Sequence, residues 1–152
     1  MATITFAGWT VDVDLARTQD YYASRPTWSE TCGCAYCRNF VMAYRTGHIP
    51  ERVLAILDSV GIDLSKDVGE VYQYNENSDG THCYGGFYHV AGTIVAENPH
   101  SDKRSGNGDS DDVSVSIELN LLATDFPRPA IQVEFIANIP WVVPVRQRKM
   151  AR

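Results

Sequence analysis

Two segments, Val113-Ser-Val-Ser-Ile-Glu-Leu119 and Ile131-Gln-Val-Glu-Phe135, decide the fold class of this chain. In each, apolar residues alternate with polar ones, which sends successive side chains of an extended strand to a core on one side and to water on the other. One wet face belongs to antiparallel sheets, because parallel sheets are covered on both faces. Working outward, Val71-Tyr-Gln-Tyr74 and the long run from His82 to Glu97 flank the turn-forming Asn75-Glu-Asn-Ser-Asp-Gly80 and read as a hairpin. At the N-terminal end, Ile4 and Phe6, then Val11 and Val13, alternate on either side of Gly8, which gives two more short strands.

Between these strands the period changes. Asp14 can cap a helix carrying Leu15, Gln19 and Tyr22 that stops before Pro26, since the residue preceding a proline is pushed out of helical geometry. The segment through Trp28 reads as a loop. From Cys37, the apolar positions Cys37, Phe40, Val41 and Tyr44 fall at i, i+3, i+4 and i+7, and Gly47 ends that helix. Pro50 opens another, with Val53, Leu54, Leu57 and Val60 on one face before Gly61. The expected fold is therefore α+β: an antiparallel sheet of four or more strands with the N-terminal helices packed on one face.

A length of 152 residues, 44% hydrophobic and 21% charged, is that of one ordinary globular unit, so a single domain over 1–152 is expected. Residues 98–112 are almost all Gly, Ser, Asn, Asp and charged, which reads as a mobile loop within the domain. Arg146, Arg148, Lys149 and Arg152 make residues 146–152 a basic, solvated tail. A net charge of −6 argues against a nucleic-acid partner, since phosphate binding needs clustered Lys and Arg. The sequence has no apolar run of membrane-spanning length, and its first residues lack the basic and apolar regions of a secretory signal, so the expected setting is cytoplasmic with no membrane partner.

The chemistry-bearing residues gather in two places. Thr31-Cys-Gly-Cys-Ala-Tyr-Cys-Arg-Asn-Phe40 holds Cys32, Cys34 and Cys37, and Cys34-x-x-Cys37 at a helix start lets two thiolates converge on one tetrahedral ion. Thr81-His-Cys-Tyr-Gly-Gly-Phe-Tyr-His89 supplies His82, Cys83 and His89 as further candidates. In a regular strand His82 and His89 point to opposite faces, but a bulge at Gly85-Gly86 would return them to the same one. The expected site is a structural zinc held by Cys34 and Cys37 and completed by two or more of Cys32, His82, Cys83 and His89. Two other readings stay open: buried inert thiols, because Cys37 shares a stripe with Phe40 and Val41, and a redox pair.

A Cys34/His89 nucleophilic pair would instead suit a hydrolase or transferase, with Asp63, Asp67 or Asn39 to orient the histidine. The tyrosines 72, 74, 84 and 88, with Phe87, suit a protein-binding surface, and an acidic chain of this size also suits a protein-binding inhibitor of immunity or antidefence type. The expected partner is thus another protein of unspecified kind. Cys32-Gly-Cys-Ala-Tyr-Cys-Arg-Asn-Phe40, His82-Cys-Tyr-Gly-Gly-Phe-Tyr-His89 and Phe135-Ile-Ala-Asn-Ile-Pro-Trp141 together resemble a group of small bacterial proteins of no assigned activity. That resemblance covers most of the chain and implies a bacterial or phage origin, without a mechanism.

Overall fold

The computed structural model describes residues 1–97 and 111–144; the expected loop falls mostly, and the basic tail wholly, outside them. In chain order the elements are β1 (Ala2–Phe6), β2 (Trp9–Val13), α1 (Leu15–Ala23), α2 (Trp28–Thr31), α3 (Ala35–Arg45), α4 (Glu51–Ser59), β3 (Glu70–Glu76), β4 (His82–Ala96), β5 (Asp112–Ser116) and β6 (Ala130–Ile139). The fold is α+β, with six strands in the order β1-β2-β4-β6-β5 and β3 also paired to β4. Every pairing is antiparallel.

The apolar positions of the alternating segments are buried as their pattern requires, but Gln132, expected to face water, is fully buried as well and bonds the His89 ring. Val113 and Val115 of β5, and Ile131, Val133 and Phe135 of β6, are all buried. The strand begun at β5 ends sooner than its alternation suggests: its pairing with β6 stops at Ser116, the Ser116 hydroxyl accepts the Glu118 amide at 2.9 Å, and Ile117 is 77% exposed. A local side-chain bond here replaces the ladder.

Helix α2 was not expected from the sequence. Its signal is Thr27-x-x-Glu30, a capping box in which the Glu30 carboxylate accepts the Thr27 amide at 2.7 Å. The Trp28 that follows the cap is buried, and its indole donates to the Leu64 carbonyl at 3.0 Å. The Tyr88 hydroxyl donates to the same oxygen at 2.8 Å, so one carbonyl serves both of its lone-pair directions. Trp28 and Tyr22 both lie against Tyr88, while Phe40 of α3 lies against Tyr84 and Phe135. The core thus forms where these helices meet the Tyr84, Tyr88 and Val90 face of β4.

Strand β4 has a gap in its ladder that α1 fills. Its last residue paired to β3 is Phe87 and its first paired to β2 is Gly92. Within that gap the Tyr22 hydroxyl donates to the His89 carbonyl at 2.7 Å and accepts the His89 amide at 3.2 Å. The Thr18 hydroxyl accepts the Ala91 amide at 3.0 Å, and the Asp14 amide donates to the Ala91 carbonyl at 2.8 Å. Buried backbone groups left without partners are costly, so the Tyr22 and Thr18 hydroxyls and the Asp14 amide take the place of a missing strand. Tyr22→Phe is expected to lower unfolding free energy by about 1–3 kcal/mol, the cost of unsatisfied buried groups, as read by urea denaturation.

Candidate metal centre

The cysteine segment forms the joint between α2 and α3. Cys32 caps the C-terminal end of α2 in extended geometry, its amide bonded to the Trp28 carbonyl at 2.8 Å. Cys34 is the N-cap of α3, also extended, and its sulfur accepts the Cys37 amide at 3.4 Å. Sulfur here does the work an oxygen does in a Ser or Asp cap. Gly33 between the two leaves open space where a side chain would stand. These turns bring all three sulfurs within 4.8 Å of one another.

That spacing is close to what a metal requires. With zinc–sulfur bonds of about 2.3 Å in a tetrahedron, sulfurs sit about 3.8 Å apart, so at most about 1 Å of contraction separates the triad from a bound geometry. Cys32 is exposed and Cys34 and Cys37 are half-buried, Cys37 packing against the core as its place on the Phe40 and Val41 stripe implies, while Cys83 is fully buried.

The electrostatics of the group are uneven. Cys32 is held below the ordinary thiol range, chiefly because the Cys34 amide donates to it, then by the Cys34 and Cys37 side chains and the Arg38 guanidinium. Cys37 is pushed far up, first by burial and then by the neighbouring Cys32 and Cys34 side chains. Arg38 is itself fixed by a bond to the Gly33 carbonyl. The thiol made more acidic therefore stands on the solvent side at Cys32, and a metal ion must displace the proton of the inner Cys37.

The structure brings together three of the six candidate ligands. His82, Cys83 and His89 are not in the group. The bulge at Gly85-Gly86 that would have brought the histidines to one face is absent: β4 pairs with β6 in unbroken register from His82 to Ala91. The register shifts fall elsewhere, between Gln73 and Asn75 where β3 meets β4, and between Thr10 and Val11 where β2 meets β4. His82 and His89 consequently project from opposite faces of β4. His82 lies against the rings of Tyr36 and Trp141. His89 packs against Phe87 and Phe126 and its ring bonds the Gln132 side-chain oxygen at 3.2 Å.

This placement also separates Cys34 from His89, the pair considered for nucleophilic catalysis. Two of the three residues considered for orienting a histidine, Asn39 and Asp63, are engaged otherwise. Asn39 accepts the Val142 amide at 2.7 Å and donates to the Pro140 carbonyl at 3.2 Å, and Asp63 accepts the amide and hydroxyl of Ser65.

His89 has a separate consequence. Burial lowers its pKa below the ordinary value, with the Gln132 and Asn120 contacts opposing. A histidine depressed in the folded state takes up its proton more readily when unfolded, so stability falls as pH drops through the unfolded value near ~6.5. Unfolding free energy is expected to decline below that pH with a slope of at most about 1.4 kcal/mol per unit, and His89→Gln should flatten that slope in urea melts run from pH 7.5 to 5.

Among the described residues no helix is long and apolar enough to cross a membrane. Comparison with known protein families, with curated proteins and with solved structures finds no match. The feature that bears on function is the Cys32, Cys34 and Cys37 cluster, which could hold a metal ion.

Proposed function

We propose that this protein is a small metal-binding domain whose cysteine triad holds zinc and which acts through contact with another protein. The observation that carries this reading is the convergence of three sulfurs within 4.8 Å at the first turn of α3, on a surface where Cys32 is exposed. Sulfur donors favour zinc and other thiophilic ions over calcium or magnesium, which take oxygen. The first-turn position helps, because the positive end of the helix supports anionic sulfur.

The site differs from a zinc that creates a fold. Its donors come from one short segment, and they close only the α2–α3 joint, while Phe40, Tyr84 and Phe135 already pack beneath it. Metal at this place fixes a surface feature. Tyr36, 44% exposed and lying between two of the ligands in sequence, gives that feature an aromatic contact suited to a protein partner.

The test is metal content. Protein purified without an affinity tag and without added metal is expected to carry about one zinc per chain, as a single three-cysteine group implies. Four titratable thiols and no metal, in protein that also fails to take up zinc or cobalt, would overturn the reading.

A further inference from the structure

Zinc in a sulfur site takes four ligands, and the group of mutually accessible donors among the described residues has three members. We infer that the fourth ligand is an external thiolate, from a low-molecular-weight thiol or from a cysteine of another protein molecule. This rests on the metal reading above and names the class of ligand that the bound ion accepts.

Three features support sulfur arriving from outside. Three thiolates make the centre soft, and a soft centre prefers a further sulfur to an oxygen donor. Access is from the solvent side, where Cys32 is exposed. On the inner side Cys37 borders a cavity of about 20 Å³ walled by Trp28, Tyr36, Phe40 and Tyr84, which has room for about one water and no organic ligand. Charge is the third feature: a fourth thiolate leaves the zinc centre doubly negative, and the Arg38 guanidinium next to Cys32 offsets part of that charge.

The exchange is a ligand substitution. The sulfur–hydrogen bond of the incoming thiol breaks, its electron pair forms the bond to the metal, and the proton leaves to solvent; nothing is oxidised or reduced. A metal-bound thiol is deprotonated outright, so below the free thiol's pKa of about 8.5 the apparent affinity should rise about tenfold per pH unit.

The experiment uses the full chain loaded with cobalt(II), whose sulfur-to-metal charge-transfer absorbance counts bound thiolates, titrated with glutathione. A saturable rise of about one third, the step from three sulfurs to four, is expected. The same rise without glutathione as protein concentration increases, accompanied by dimer sedimentation, also supports the inference and identifies the source as a second copy of this chain. A four-sulfur spectrum independent of protein concentration and lost in Cys83→Ser would overturn it by giving the ligand to the chain itself. So would a three-sulfur spectrum that saturating glutathione leaves unchanged. Failure to bind cobalt at all overturns the metal reading, which separates the two outcomes.

Discussion

Replacing Cys34 and Cys37 together by serine is expected to abolish zinc and cobalt binding while leaving the metal-free protein about as stable as its parent. Loss of a partner that merely orients a ligand costs about 10–100-fold in metal affinity, and removing two of three ligating sulfurs must exceed that. The effect on folding is small because its terms oppose. Serine at position 34 is the better N-cap, and the cap it would make, accepting the Cys37 backbone amide, already exists with sulfur. Serine at position 37 gives up a half-buried sulfur packed against the core. The net change should lie within about 1 kcal/mol in urea melts of metal-free protein.

Zinc itself should separate the two proteins. A ligand that binds only the folded state stabilises it in proportion to the logarithm of its free concentration, so added zinc should raise the melting temperature of the parent and not of the variant. Unfolding of the metal-free parent at room temperature would contradict the view that the core is complete without metal, and would make the site a folding element after all.

How much of this was legible beforehand follows from what each feature depends on. Strands β5 and β6 were readable because alternation is a local mark of an extended strand with one apolar face, although the burial of Gln132 on the other face was not, and α3 because Cys37, Phe40, Val41 and Tyr44 repeat with the helical period. The triad was readable for the same reason: its three donors are neighbours in sequence, so folding adds little to their proximity. The remaining candidates were not, because placing His82, Cys83 and His89 required the register of β4 against two partners. The bulges that exist sit at the β3 side and the far end of β4, and nothing local to Gly85-Gly86 says so. Tyr22 and Thr18 were likewise beyond reach, because their role depends on a ladder gap that only the three-dimensional arrangement creates.

The glycine pair has a different explanation, and Gly86→Ala is expected to destabilise the protein by about 3 kcal/mol or more where Gly85→Ala costs about 1 or less. A Cβ at Gly86 would stand 2.1 Å from the Glu70 carbonyl oxygen and 2.9 Å from the Val71 Cα, both backbone atoms of β3. No rotamer change relieves a contact with backbone, and φ of +155° adds strain for any other residue. At Gly85 the nearest atoms belong to the Tyr74 ring, at 2.5 Å, and that side chain is 55% exposed, so it can give way at the cost of its exposed contact with Tyr72. The difference reaches the cysteines. Val71 and Tyr72 of β3, with Tyr84 of β4, help wall the small cavity beside Cys37, so β3 forced off β4 uncovers the inner sulfur of the triad. Gly86→Ala should therefore also speed modification of Cys37 by a thiol reagent under native conditions, relative to Gly85→Ala and to the parent. Equal costs for the two alanines, with no change in thiol reactivity, would mean that β3 does not depend on this approach and that Cys37 is shielded by the helices alone.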